Sequence, residues 1–187
     1  MEQIKNVTGT AFVMAEFRAD ENDAADPLYR DPVVHLFLNE KSQQAAEHIA
    51  TGFPLMKEMV KIRTRYLTIC WTVGSLQTAA KLDAGLDTRA IRKTAANVTY
   101  YEINDAATLA IKQACIEAHE IQADVKFIAG NYLADGLMRL LRKSGFDPDL
   151  PTYVIWEGNT MYLTLDDNKA VMEQLRNNLS RFHFTKF

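Results

Sequence analysis

After Gly74 the sequence changes texture: short runs rich in β-branched and aromatic residues alternate with amphipathic stretches of helix length. Gln77–Leu82, VTYYEI at Val98–Ile103, VKFIA at Val125–Ala129 and TYVIW at Thr152–Trp156 read as strands. Ala106–His119, Leu133–Lys143 and Asp166–Leu179 read as helices. A chain that alternates in this way pairs its strands in parallel through right-handed helical crossovers, so an α/β sheet is expected. SGFDPDLP is the loop feeding the fourth strand, and RFHFTKF at Arg181–Phe187 alternates as a fifth. A sheet that ends there presents an edge.

The part before Gly74 has no such runs. Ala11, Phe12, Ala15 and Ala19 recur at helical spacing within Thr8–Glu21, with Thr8 or Thr10 available as an N-cap. Pro27 and Pro32 in DPLYRDP set a turn, because each removes a donor and pushes the preceding aspartate out of helical geometry. Short helices are expected at Val33–Leu38 and Ser42–Thr51, then a longer amphipathic one over Leu55–Val73 carrying Met56, Met59, Val60, Ile62, Tyr66 and Ile69. With 187 residues, 48% of them hydrophobic, the chain is expected to form a single domain, with residues 1–74 a helical extension on a partial α/β core of residues 75–187.

The net charge is -3 and the basic residues are scattered, so no stripe suits a phosphate backbone and no nucleic-acid partner is expected. Cys70 and Cys115 lie apart and outside any Cys/His cluster, which predicts no metal site and fits a reducing compartment. No apolar run approaches the length of a membrane span and the start lacks a signal pattern, so a soluble, cytoplasmic protein is expected.

Ligands of open parallel sheets bind beyond the carboxyl ends of the strands, where strand order reverses. Beyond the first strand lies Asp83-Ala84-Gly85-Leu86-Asp87-Thr88, either a ligand-approaching turn or only a tight one. Glu102, past the second, can accept from ribose hydroxyls or end as a solvated strand terminus or cap. Asn131 and Tyr132, past the third, can read and cover a base edge or serve as turn residue and core ring. Glu157 follows the fourth, and a carboxylate against an apolar strand calls for a partner. The histidines are isolated, the acids of RADEND read as a solvated helix face, and no nucleophile triad, Walker loop or HExxH is present.

TGTAFVMAEFRADEN, DPLYRDP, IRTRY, AGLDTRAIR, YYEIN, GFDPDLPT and WEGNTMYLT stand in the order, and at about the spacing, of the leucine carboxyl methyltransferase family, which the chain therefore resembles. The resemblance implies a Rossmann-like class I methyltransferase sheet, mostly parallel, and S-adenosylmethionine as cofactor. It implies that Arg63 pairs with the cofactor's methionine carboxylate, that Ala84, Gly85 and Asp87 form the turn beside the methionine, and that Glu102 or Asn104 contacts ribose. Asn131 falls where the family accepts from the adenine amino group, with Tyr132 beside it. Glu157 and Tyr162 match residues lining the pocket where cofactor and acceptor meet, and Arg89 is read as tying the turn to its neighbours.

The chain also departs from the family. Asp83 replaces the first glycine of the turn, which is expected to weaken cofactor binding. Asn104 and Asn131 replace aspartates and offer one acceptor oxygen each. Lys81 sits in a strand expected to be apolar, and no acidic residue follows RTRY. Family members continue through further strands, so the C-terminal strands are expected to be missing here and a homodimer through the exposed edge becomes an option. The implied reaction moves a methyl from a sulfonium to a carboxylate or hydroxyl of a small molecule or peptide. An ionised carboxylate needs no general base, so no catalytic acid or base is assigned. The alternative is a degenerate or truncated non-catalytic α/β module that keeps the fold and binds cofactor weakly or not at all.

Overall fold

The computed structural model describes residues 7–71, 76–92 and 95–186. Its N-terminal part is helical: α1 (Val7–Ala19), α2 (Glu40–Gly52) and α3 (Leu55–Trp71). Thr8 and Thr10 lie within α1, not ahead of it. α2 is capped by Asn39, whose side chain accepts from the amides of Lys41 and Ser42. Val33–Leu38 is shorter than expected, a single 3-10 turn over Val34–Phe37. The end of the Leu55–Val73 helix at residues 72–73 lies outside the described residues.

α1 is buried on two sides. Val13 and Phe17 pack with Ala46 of α2 and Val60 of α3, while Ala15 and Ala19 pack with Val34, Phe37 and Leu86. Of the apolar residues read on α3, Val60 is buried and Met56 packs beside it, whereas Met59, Ile62, Tyr66 and Ile69 are exposed. The buried face is Val60, Lys61, Thr64, Leu67 and Thr68. Lys61 reaches Asp20 at 2.6 Å and Glu21 at 3.5 Å, so a charged residue turns inward because carboxylates wait for it there.

Five parallel strands follow: β1 (Thr78–Leu82), β2 (Thr99–Asn104), β3 (Val125–Ala129), β4 (Thr152–Trp156) and β5 (Phe182–Lys186), in the order β3-β2-β1-β4-β5. The crossovers use a single turn, α4 (Arg89–Arg92), then α5 (Ala106–Ala118), α6 (Leu137–Lys143) and α7 (Leu165–Asn178). The expected α/β class is what the chain adopts. The helix expected from Leu133 begins only at Leu137, because Asn131 binds the amides of Leu133 and Ala134 in its own turn and Gly136 takes φ 81°.

One face of the sheet, with Leu82, Ile103 and Trp156, buries against Leu137 and Leu141 of α6 and Val171 and Leu175 of α7. The other, with Ala79, Tyr100, Tyr153 and Ile155, is covered by Leu67 of α3. From β1 the chain winds to β2 and β3, then crosses back to β4 on the opposite flank, so strand order reverses between β1 and β4. A crevice is thereby expected beyond Leu82 and Trp156.

The helical part is tied to the sheet by a wholly buried aspartate. Asp31 accepts from the Thr88 hydroxyl at 2.6 Å and from the Val34 amide at 3.1 Å, and pairs with Arg92 Nε at 3.0 Å. No helix among the described residues is long and apolar enough to cross a membrane.

Candidate functional site

Two cavities open beyond the carboxyl ends of the strands, the first at the switch point. The first, of about 200 Å³, lies between the tips of β1 and β4 and the helices α1 and α3. Met14 and Arg18, Arg63, Lys81, Ala84 and Gly85, Glu157 and Tyr162 line it. The second, of about 610 Å³, lies beyond β2 and β3 and is lined by Asn104, Asp105, Gly130, Asn131, Tyr132, Asn159 and Leu163 among others. Among the described residues Asp83 is the one that borders both.

The structure thus brings Arg63, Ala84, Gly85, Glu157 and Tyr162 to one chamber and Asn104, Asn131 and Tyr132 to its neighbour. Asp87 and Glu102 reach neither wall. Asp87 accepts from Arg89 Nε at 2.8 Å and from Lys81, and is buried. Glu102 is fully buried in an ion pair with Lys112, and its other carboxylate oxygen has no hydrogen-bond partner among the described residues. Arg18 and Lys81 line the first chamber although sequence reasoning named neither as a site residue.

The first chamber is strongly charged. Alternation along β1 puts Lys81 on the same face as Ala79, toward α3, and its ammonium lies between Asp87 and Glu157, 2.9 Å from the latter. Glu157, the first residue past β4, also receives Arg63 Nε at 2.8 Å and the Arg89 guanidinium. Burial alone would raise the Glu157 pKa, but Arg89, Lys81 and Arg63 outweigh it and hold the carboxyl far below the usual range. Asp87 is held well down by Arg89 and Lys81 in the same way. Lys81 itself is pushed down, by burial first and then by Arg89. Three cations therefore share these two carboxylates. With Arg18 and Asp83, which also line the chamber, four cations face three carboxylates, which leaves one positive charge in excess. The Arg18 guanidinium donates to the Leu86 carbonyl at 2.9 Å, while its buried Nε has no partner among the described residues. Unpaired buried donors of this kind are costly unless a ligand completes them.

The turn between the chambers is held rigidly. Asp83 and Gly85 both take left-handed backbone, φ 52° and 55°, where glycine is at ease and aspartate is tolerated. Asn104 Oδ1 accepts from the Gly85 amide at 2.7 Å, which locks the β2 tip to the turn. Tyr132 accepts from Trp156 Nε1 at 3.0 Å, so its hydroxyl proton goes to Asn159 Oδ1 at 2.8 Å, and the Asn159 amide must then turn its NH₂ toward the Asp83 carboxylate, to which it donates. Burial raises the Asp83 pKa, with the Asn159 hydrogen bond opposing. Asn131 spends its one acceptor oxygen on its own loop, at 3.0 and 3.2 Å.

Known proteins align with this chain over most of its length. A family model described as leucine carboxyl methyltransferase matches residues 11–176. A Mycolicibacterium smegmatis protein named "Putative S-adenosyl-L-methionine-dependent methyltransferase" is 28% identical over 188 residues, covering 90% of this chain and 59% of that protein. One of the same name from Mycolicibacterium vanbaalenii is 29% identical over 165 residues, covering 80% of this chain and 56% of that protein. The chain therefore spans less than two thirds of the length of either relative. Among solved structures, an O-methyltransferase family protein from Burkholderia thailandensis superposes with a TM-score of 0.48 at 14% identity, covering 92% of this chain and 51% of that one. With the match running from α1 almost to the end of α7, the chain belongs to the leucine carboxyl methyltransferase family.

Proposed function

We propose that the double chamber holds S-adenosylmethionine, and that the chain acts within one methyltransferase domain in which residues 1–74 extend the α/β core of residues 75–187. The observation that carries this reading is the excess positive charge of the first chamber, on whose wall Arg18, Arg63 and Lys81 converge and which calls for an anionic group. The amino-acid end would lie with its carboxylate toward Arg18, Arg63 and Lys81, beside the Ala84-Gly85 turn. The nucleoside would occupy the second chamber between Asn104, Asn131 and Tyr132. Asp87 and Glu102 would then act from behind the walls, Asp87 by fixing Lys81 and Arg89 and Glu102 by fixing Lys112.

The cofactor supplies a methyl group made electrophilic by its sulfonium. The residues hold and align, Arg18 and Arg63 at one end and Tyr132 at the other, and the chambers exclude water. The exposed Tyr162 at the mouth of the first chamber marks the side from which a small-molecule or peptide acceptor, a carboxylate or hydroxyl, would approach. The two free cysteines and the absence of a spanning helix among the described residues are compatible with work in the cytoplasm.

Calorimetry and thermal melting with S-adenosylmethionine test the reading. At a hundredfold excess over Kd the ligand should stabilise by about 2.7 kcal/mol, raising Tm by roughly 5–10 °C for a chain of this size. Arg18→Gln should weaken binding by about tenfold or more, the effect of one charged hydrogen bond. Absence of heat and of any shift at millimolar ligand rejects it. The non-catalytic alternative draws on the Asp83 to Asn159 hydrogen bond, which crosses between the chambers. It is upheld if neither the wild type nor Asp83→Gly takes up cofactor.

We also propose that two copies pair along β5, which hydrogen-bonds to β4 on one side only. Sedimentation should show a concentration-dependent monomer to dimer transition, and a clean monomer at every concentration rejects pairing.

A further inference from the structure

Asp83 stands between the two chambers, the one residue among those described that borders both, so a ligand spanning them would lie against it. Its carboxylate is oriented from behind by a directed relay, Trp156 to Tyr132 to Asn159 to Asp83, and among the described residues no donor is bonded to its second oxygen. Lys81 and Asp105 both act on its charge, Lys81 favouring the carboxylate and Asp105 opposing it. In a ligand whose amino acid lies toward Arg18 and Arg63 and whose nucleoside lies toward Tyr132, the atom joining the two halves is the sulfur.

We infer that the Asp83 carboxylate is a charge-selecting residue that favours a cofactor bearing a positive sulfonium over the neutral thioether left after methyl transfer. The inference rests on the cofactor reading above and adds to it a discrimination between charge states of the ligand. S-adenosylmethionine and S-adenosylhomocysteine share every other polar group, so a carboxylate at the sulfur is the cheapest means of telling them apart. On transfer the carbon–sulfur bond breaks, a carbon–oxygen bond forms at the acceptor and the sulfur keeps the electron pair. The sulfur thus loses its charge, Asp83 loses its counterion, and the spent product is released more readily. The same residue that narrows the passage therefore also drives turnover.

Calorimetry on wild type, Asp83→Asn and Asp83→Gly with S-adenosylmethionine, S-adenosylhomocysteine and sinefungin, which carries an amine near the sulfur position, reads this directly. Wild type should bind both cations at least about tenfold more tightly than the thioether, the scale of one partly desolvated charge pair. Asp83→Asn keeps the shape and tolerates the left-handed backbone, and it should bring the three affinities to within about threefold. Asp83→Gly widens the passage and can raise every affinity, yet the ratio of cation to thioether should collapse as in the asparagine variant. A ratio unchanged in both variants overturns the inference and leaves the cofactor reading standing. No binding of any of the three ligands by wild type or Asp83→Gly overturns the cofactor reading and the inference with it. Thermal melting of both variants shows that the ratio is read on folded protein.

Discussion

Glu157→Gln is expected to cost about 3–5 kcal/mol, as removal of one member of a buried ion cluster does. For a chain of this length that lowers Tm by roughly 6–20 °C, measurable by calorimetry or by urea denaturation. The reason is arithmetic of charge: Arg63, Lys81 and Arg89 would face the lone carboxylate of Asp87. The pH dependence has a definite sign. Carboxyls whose folded pKa is depressed stabilise fully above their unfolded value, about 4, and lose that contribution as pH falls through the folded value. Glu157 and Asp87 are both depressed far below it, so wild type should keep this contribution down to about pH 4 and lose it only in stronger acid. The variant should show a shallower acid limb. A glutamine variant as stable as wild type, with the same acid limb, would show that the cluster contributes nothing net.

The second large effect is expected at the Glu102 and Lys112 pair, both fully buried. Lys112→Met strands a carboxylate without a counterion and should cost about 3–5 kcal/mol. The double variant Glu102→Leu/Lys112→Met should recover most of that loss, because two apolar groups need no partner. Burial already raises the Glu102 pKa with its lysine present, and removing Lys112 raises it further. A raised carboxyl pKa penalises the fold above that value and ceases to do so as pH falls through it, so the single variant's deficit should shrink on acidification. S-adenosylmethionine affinity separates structure from ligand contact. If Glu102 acts from behind the wall, the refolded double variant keeps its affinity to within about threefold. A folded double variant that has lost the cofactor would return Glu102 to the ribose.

Which parts could be read from the letters depends on how local the cause is. β4 was legible to the residue because a strand buried on both faces is a continuous β-branched and aromatic run, and β3, a half-exposed edge strand, because VKFIA is itself rich in such residues; neither needs a distant partner to be recognised. The inward face of α3 was not. Its apolar stripe is the stronger pattern, yet Lys61, Thr64 and Thr68 are the residues turned inward, set by Asp20 and Glu21 some forty positions back. Those acids belong to RADEND, read as a solvated face, whereas Glu21 is buried and accepts the Leu28 amide at 2.6 Å.

The site divides along the same line. Gly85, Arg63 and Glu157 stood out because a left-handed turn, a family motif and a carboxylate behind an apolar strand are local signals. Lys81 looked like a blemish in β1, since the partners that justify it, Asp87 and Glu157, lie 6 and 76 positions away. The usable hint was alternation: a lysine on the α3 face of an inner strand can persist only opposite acids. Arg18 was hidden inside a charge run, and nothing short of the packing of α1 over Leu86 distinguishes it from its neighbours.

The wholly buried Asp31, clasping Thr88 and Arg92 from the far side of the helical part, bears on how the molecule comes apart. Loosening the helical part strips Arg92 of its counterion and Thr88 of its acceptor, so trimming the chain back to its strands is expected to leave Arg92 marooned instead of liberating a smaller, independently stable fragment.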